Sequence, residues 1–103
     1  MKWETIDNND IPTEGASAEI VIAGNIVALF NVDGELHALD GICPHQGGPL
    51  GQGALHGCVV SCPWHGWEYD VTDGQHQSIP ALKHTSIQVR IADGVVQLGF
   101  SDA

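Results

Sequence analysis

The sequence predicts an all-β fold, because short apolar runs alternate with two-residue turn signals and no window has apolar residues sustained at helical spacing. The apolar run from Ala18 to Phe30 is interrupted at Gly24-Asn25, a pair suited to a tight hairpin turn. Asp33-Gly34 is a second signal of the same kind and precedes Leu36-His37-Ala38-Leu39. The first forty residues are therefore predicted to form an antiparallel meander, and little or no helix is expected.

The last twenty residues predict a third hairpin. Ile87, Val89 and Ile91 alternate with polar residues, which is the period-two pattern of a strand with one buried face. Asp93-Gly94 then turns the chain into a second alternating run that begins at Val96.

Between these β-rich flanks, 1–40 and 83–103, the composition changes. The stretch from Gly41 to Gly74 is rich in glycine and proline and contains all three cysteines and three of the six histidines. Proline lacks the ladder donor and glycine packs no side chain, so loops are expected to make up most of this stretch. We therefore predict one domain, 1–103, with functional loops at 41–82 inserted between the flanks.

The charge excludes some partners. With 13 acidic and 3 basic side chains, the formal net charge of −10 would repel nucleic acid and anionic membrane surfaces. No apolar stretch is long enough to span a bilayer, and no signal-peptide core follows the first residues, so a cytoplasmic protein is predicted. A protein partner is expected to present a basic docking face.

Two short motifs carry the chemistry. Cys43-Pro44-His45 and Cys62-Pro63-Trp64-His65 each offer one thiolate and one imidazole, spaced so that both side chains can aim at a common point. Three cysteines cannot all pair, and reduced thiols favour metal binding over a disulfide framework. Cys43, His45, Cys62 and His65 are therefore the predicted metal ligands.

The types of the four ligands are compatible with two kinds of metal site. Two thiolates and two imidazoles can hold one tetrahedral zinc ion, or a two-iron, two-sulfide cluster with the cysteines on one iron and the histidines on the other. Zinc sites more often have paired cysteines in each knuckle, so one cysteine and one histidine per loop favours the [2Fe-2S] cluster.

The two motifs, with the residues that follow them up to Gly48 and Asp70, resemble the Rieske iron-sulfur domain. They are most similar to the small Rieske ferredoxins of bacterial ring-hydroxylating dioxygenases. The resemblance implies a fold of small antiparallel sheets, with a loop-built cluster-binding subdomain at one tip. It also implies that Cys43 and Cys62 hold a buried iron and that His45 and His65 hold an outer iron near solvent.

The sequence departs from part of this family pattern. Rieske proteins of quinol-oxidising complexes have a disulfide whose positions correspond here to Gly48 and Trp64, so that disulfide is absent. Trp67 stands where those proteins often have a serine that donates to a cluster sulfide, while Tyr69 matches a residue that donates to a thiolate. Loss of one donor predicts a reduction potential toward the low end of the Rieske span, roughly −150 to +300 mV.

Other residues near the motifs receive simpler interpretations. Gly47, Gly48 and Gly66 are expected either to let backbone N–H groups approach the sulfides or to act only as turn formers. Trp64 and Trp67 are expected to pack around the tip, and Ile79-Pro80-Ala81-Leu82 resembles the family's covering loop. Residues without a partner at ligand spacing are predicted to lie outside the site. They are Cys58, as a buried or half-buried thiol near a strand start, and His37, His56, His76 and His84, as surface residues.

The predicted function is electron transfer rather than catalysis. A cluster whose four ligands all come from protein has no open position for substrate, and no nucleophile with an adjacent base appears in the chain. The resemblance implies a carrier that takes electrons from a flavoprotein reductase and delivers them to a terminal oxygenase. Two alternatives are the Rieske-like small subunit of an assimilatory nitrite reductase and a zinc-stabilised interaction module.

Overall fold

The computed structural model describes residues 2–43, 47–64 and 66–100, and these residues confirm the all-β prediction. The helical residues among them form two single 3₁₀ turns, Asn8–Asp10 and Leu50–Gln52. No helix in these ranges has the length and apolar character needed to cross a membrane. In chain order the strands are β1 (Lys2–Thr5), β2 (Ser17–Ile22), β3 (Asn25–Val32), β4 (Glu35–Asp40), β5 (Ala54–His56), β6 (Val59–Ser61), β7 (Glu68–Asp70), β8 (Ser86–Ala92) and β9 (Val95–Phe100).

The strands form two antiparallel sheets. The larger has six strands in the order β1-β9-β8-β4-β3-β2, and the smaller has three in the order β5-β6-β7. Two three-stranded halves of the larger sheet meet only where Ala38 and Leu39 of β4 pair with Ile87 and Ser86 of β8. The N-terminal and C-terminal flanks therefore build one sheet together, and the segment between them builds the other.

Two of the three predicted hairpin turns are confirmed. Asp33-Gly34 and Asp93-Gly94 occupy the two turn positions with positive φ, as the tight turns of twisted hairpins require. The first turn lies one residue earlier than predicted, at Ala23-Gly24, because Asn25 pairs with Ile22 as the first residue of β3. The Asn25 side chain also donates to the Ala23 carbonyl oxygen at 3.3 Å, which supports the turn from outside it.

The glycine-rich middle segment contains more regular structure than predicted. The three strands of the smaller sheet lie within it, although each has only three residues. Strands this short fit between the prolines and most of the glycines, so ladder donors are not lost. The remaining residues of the segment form the loops that carry the cysteine motifs.

Two hydrophobic cores lie on opposite faces of β3. Val27 and Leu29 point into one core, and Ala28 and Phe30 point into the other, because successive side chains of a strand alternate between its faces. All four side chains are fully buried. The core that contains Phe30 also contains both motif cysteines. We call it the cysteine core, and its buried residues are Ala28, Phe30, Leu39, Cys43, Leu50, Val60, Cys62, Tyr69 and Val71.

Hydrogen bonds tie the middle segment to the larger sheet. Ser17 of β2 donates through its hydroxyl to the Gly53 carbonyl oxygen at 2.9 Å. Farther along the chain, the His84 amide donates to the Gly74 carbonyl oxygen at 2.7 Å, and the Gly74 amide donates to that of Asp70 at the same distance. These hydrogen bonds attach the segment that leads into β8 to the end of β7.

The Gly74 position offers a test of this attachment. Gly74 has φ +84°, and a Cβ there would overlap the carbonyl oxygen of His84. We expect Gly74→Ala to lower the free energy of unfolding by about 3 kcal/mol, from backbone strain together with overpacking. Urea denaturation followed by circular dichroism measures the change.

Gly94→Ala is the matched control for backbone strain alone. Gly94 has nearly the same φ, +78°, but a Cβ there meets nothing within 4 Å. We expect this variant to lose only about 1 kcal/mol. Equal losses in the two variants would contradict the tight approach of Gly74 to His84.

Candidate metal centre

The first cysteine sits in a turn closed by its own backbone. The Gly47 amide donates to the Cys43 carbonyl oxygen at 2.9 Å, and the Cys43 amide donates to the Gly48 carbonyl oxygen at 2.9 Å. Gly47 has φ +73°, a conformation that costs other residues energy. Ile42 and Pro49 form a β-bridge just outside the turn and hold its two ends together.

The second cysteine sits in a turn of the same form. The Gly66 amide donates to the Cys62 carbonyl oxygen at 2.9 Å, and the Cys62 amide donates to that of Trp67 at 2.8 Å. Gly66 has φ +74°, matching its counterpart in the first turn. The two turns therefore present their cysteines in equivalent backbone settings.

The two turns touch at Gly48. A Cβ on Gly48 would lie 2.8 Å from Cys62 Sγ and 3.1 Å from Trp64 Cγ, so only glycine allows this approach without a shift. Gly48 and Trp64 are the positions at which the family resemblance placed a disulfide in other Rieske proteins. The two positions lie against each other in the structure, and since neither is a cysteine, that disulfide cannot form here.

Both motif thiols are buried. Cys43 is 1% exposed and Cys62 is 2% exposed, and both belong to the cysteine core, with Phe30 and Leu50 among its members. Cysteine is common in such an apolar setting, and these two residues also have interactions beyond packing. A thiolate bound here would sit in a medium of low dielectric constant, where neighbouring donors act strongly on it.

Tyr69 supplies one such donor. Its hydroxyl lies 3.6 Å from Cys43 Sγ, and its ring is fully buried in the cysteine core. Burial raises the pKa of Tyr69 well above its usual value, and the hydrogen bond to Cys43 and the negative charges of Cys43 and Cys62 raise it further. The raised pKa keeps the proton on the hydroxyl, so Tyr69 is available as a donor to a thiolate at Cys43, and the expected contact between the two residues is confirmed.

The other two predicted ligands, His45 and His65, lie outside the described residues. Within the described ranges, no group of three Cys, His, Asp or Glu side chains could hold a metal ion. The structure thus brings together the cysteine half of the predicted ligand set, and the complete set remains a prediction.

Gly47 and Gly66 have the turn-forming role, which the sequence left open beside an approach to the sulfides. Their amides donate to the carbonyl oxygens of Cys43 and Cys62. Both residues have positive φ, so the two turns share the same backbone geometry. Sequence reasoning could not separate these roles, because each requires the absence of a side chain.

The predictions for the remaining histidines are only partly right. His56 is exposed as predicted, whereas His37 is partly buried and lies 3.3 Å from the Glu35 carboxylate. His76 is 6% exposed and His84 is 8% exposed, so the prediction of surface positions was wrong for both. Both rings pack against Tyr69, at centroid distances of 5.2 Å for His76 and 5.5 Å for His84. No sequence signal marks them, since this packing joins residues from separate loops.

Cys58 and the two tryptophans can also be placed. Cys58 is half-buried directly before β6, as predicted, with its Sγ 3.9 Å from Asp70 Oδ2. Trp67 is half-buried and packs against the cysteine core. Trp64 is 62% exposed, so only one of the two rings shields the centre and the other faces solvent.

Comparison with curated proteins identifies relatives of two kinds. The ferredoxin component of the naphthalene 1,2-dioxygenase/salicylate 5-hydroxylase systems of a Ralstonia species is 35% identical over 75 residues, 73% of this chain and 71% of that protein. Apoptosis-inducing factor 3 of Mus musculus and Homo sapiens is 38% identical over 68 residues, 66% of this chain. That match covers only 11% of the larger protein.

The similar solved structures also include ferredoxins. The ferredoxin of Sphingomonas yanoikuyae B1 has a TM-score of 0.76 and 27% identity, and the match covers 86% of this chain and 89% of that one. A structure of the complex of reduced oxygenase and oxidized ferredoxin in carbazole 1,9a-dioxygenase has a TM-score of 0.80 with 24% identity. That match covers 93% of this chain and 91% of the other, and at this identity it shows the fold alone.

The family model described as the Rieske [2Fe-2S] domain matches residues 2–93. This range includes both cysteine turns and Tyr69. Because the match extends over most of the chain, the protein belongs to the Rieske [2Fe-2S] domain family and has one such cluster as its cofactor.

Proposed function

We propose that this protein is a one-electron carrier that takes electrons from a flavoprotein reductase and passes them to a terminal oxygenase. The observation that carries the proposal is the pair of buried thiols, Cys43 and Cys62, presented by matching turns with the Tyr69 hydroxyl on one of them. The ferredoxin components among its relatives support this assignment.

The proposed ligands are Cys43 and Cys62 for the buried iron and His45 and His65 for the outer iron. Burial of both thiols in one core and the contact of the two turns support the cysteine half. Membership of a [2Fe-2S] family decides against the zinc-stabilised module. When bound, the cluster supplies a single-electron redox site. The chain's own part is to hold the thiols in a dry setting and to direct donors at them.

The polypeptide by itself is proposed to have no catalytic role. Four protein ligands would leave no coordination position for substrate. The proposed location is the cytoplasm. Cysteines that do not form disulfides are typical of a reducing compartment, and the three cysteines of this chain form none with one another.

Charge supports the proposed mode of docking. The loop segment 41–82 contains no lysine or arginine, and its acidic side chains are Glu68, Asp70 and Asp73. The exposed Trp64 ring lies in the second motif, directly before His65. We infer that the acidic protein is steered to basic partner faces and that the neutral, aromatic part of the loops makes the close contact.

The ligand assignment predicts the outcome of cysteine substitution. Cys43→Ser and Cys62→Ser remove a thiolate from the proposed buried iron, so we expect both variants to lose the visible absorption of the cluster. The measurement is the visible spectrum of purified protein together with its iron and sulfide content.

Cys58→Ser is the matched control, because Cys58 is the remaining cysteine and contacts Asp70. It should retain the wild-type spectrum and iron content. Bleaching of Cys58→Ser, or an intact spectrum in Cys62→Ser, would contradict the proposed ligand set.

The Tyr69 contact predicts a change in reduction potential. The wild-type protein should titrate as a reversible one-electron couple toward the low end of the Rieske span. Tyr69→Phe removes a donor that stabilises the more negative reduced state, so its midpoint should fall by about 20 to 60 mV, equivalent to one hydrogen bond. An anaerobic titration followed by electron paramagnetic resonance measures both values.

Trp3→Phe is the aromatic control for this titration, since Trp3 lies on the edge strand β1 and stacks under Arg90. Its midpoint should equal that of wild type. A Tyr69→Phe midpoint that is unchanged or higher would contradict the donor role of the hydroxyl, and a protein without a one-electron signal would contradict the carrier function.

Electrostatic steering predicts a salt dependence. Raising the ionic strength from about 0.01 M to 0.15 M shortens the Debye length from roughly 30 Å to 8 Å, so the second-order rate of reduction by a ferredoxin reductase should fall several-fold. Stopped-flow absorbance measures this rate. Electron transfer to a small uncharged oxidant should stay nearly constant, and a reductase rate that rises with salt would contradict a basic docking face.

A further inference from the structure

His76 is a buried polar residue to which the carrier function assigns no role. It is 6% exposed and forms a β-bridge with Tyr69 at the edge of the smaller sheet. Burial of a histidine requires compensating interactions, because its ring nitrogens lose their contacts with water. The two ring nitrogens of His76 have different surroundings, and the ring itself contacts two aromatic side chains.

The first nitrogen closes a loop. Nδ1 of His76 accepts hydrogen bonds from the amides of Ser78 at 3.0 Å and Ile79 at 2.9 Å. The His76 amide donates in turn to the Leu82 carbonyl oxygen at 3.0 Å, and Leu82 packs against the cysteine core. We call residues 76–82 the covering loop, a segment that includes the Ile79-Pro80-Ala81-Leu82 stretch named above. Its conformation depends on one ring nitrogen of His76 that acts only as an acceptor.

Within the described part of the chain, the second nitrogen has no hydrogen bond. Because Nδ1 accepts two N–H groups, the ring proton lies on Nε2, and Nε2 is a buried atom that has no hydrogen-bond partner among the described residues. A buried donor without an acceptor destabilises the folded state, because its hydrogen bond to water is lost and not replaced. Proteins rarely leave such a group, so its presence points to a benefit from the rest of the ring.

That benefit lies in the aromatic contacts. The His76 ring stands edge-on to Trp67, with centroids 4.7 Å apart and planes at 89°, and edge-on to Tyr69, at 5.2 Å and 83°. Edge-to-face contacts of this geometry are favourable beyond the area they bury. The imidazole therefore packs against two aromatic side chains, Trp67 at the end of the second cysteine turn and Tyr69 in β7.

Tyr69 is held from a second direction as well. The His84 ring lies 5.5 Å from it, tilted by 43°, and His84 Nε2 donates to the Asp40 carbonyl oxygen at 2.8 Å. Tyr69 is thus enclosed between two histidines, and its hydroxyl reaches Cys43 Sγ at 3.6 Å. A distance of that length is sensitive to small ring shifts.

We propose that His76 is a positioning residue of the metal centre: one nitrogen closes the covering loop, and the ring holds the Tyr69 hydroxyl against the Cys43 sulfur. This inference rests on the proposed function, since its readout is the potential of the carrier. Only histidine combines both tasks, because asparagine supplies a similarly placed acceptor without a ring and phenylalanine supplies a ring without an acceptor.

Two variants separate the tasks. His76→Asn should keep the covering loop closed, and the backbone amides of 77–82 should exchange with deuterium as slowly as in wild type. It should also lower the reduction midpoint in the same direction as Tyr69→Phe, because the ring that braces Tyr69 is lost. His76→Phe should show the reverse: faster exchange in 77–82 with a midpoint close to wild type.

A double-mutant cycle shows whether the effect on the potential passes through Tyr69. In the His76→Asn background, Tyr69→Phe should cause little further change, because the hydroxyl is already displaced. Fully additive shifts would overturn the proposal, as would a wild-type midpoint in His76→Asn. If His76→Phe does not fold, the cycle with His76→Asn decides the question by itself.

His56 provides the matched control. It is an exposed histidine on β5, within the same smaller sheet, and His56→Asn and His56→Phe should leave both readouts unchanged. The proposed carrier function and the proposed role of His76 would be contradicted by different results. A wild-type protein with no one-electron signal would remove the proposed function, while unchanged exchange of 77–82 in a folded His76→Phe would remove the role of His76 in the loop.

Discussion

The close approach of the two cysteine turns is the constraint on which the rest of the centre depends. Gly48 has no side chain, and this absence lets the backbone of the first turn lie against Cys62 Sγ and the Trp64 ring. Any side chain at this position would separate the turns or displace the sulfur. The matched backbone hydrogen bonds at Cys43 and Cys62 then orient both thiols from equivalent positions. Backbone packing therefore sets where the two cysteine turns lie relative to each other.

The two cysteines proposed as ligands lie within a hydrophobic core. Cys43, Cys62 and Tyr69 belong to the core that also contains Phe30 of β3, and the other face of β3 supports the second core. On the proposed ligand assignment, cluster binding and the packing of this core are coupled, as is usual where a metal site forms only in the folded chain. The same burial that stabilises the fold lowers the local dielectric constant and strengthens the Tyr69 hydrogen bond to sulfur.

Charge and chemistry are separated along the chain. Ten of the 13 acidic residues and all three basic residues lie outside the segment 41–82. On the proposed mode of docking, long-range steering would come mainly from the flanks, whereas the loops present the exposed Trp64 ring.

The sequence by itself determined the all-β class, two of the three hairpin turns, the cysteine motifs and the family, because these depend on local spacing and turn chemistry. For the smaller sheet it indicated only a strand start near Cys58, because strands of three residues leave too short a pattern to detect. It also placed His76 and His84 on the surface. Their burial arises from contacts with Tyr69 that join separate loops, and the sequence could not choose between the two roles open to Gly47 and Gly66. Only the tertiary structure decided which donors reach sulfur and which close a turn, because that choice depends on distances between segments far apart in the chain.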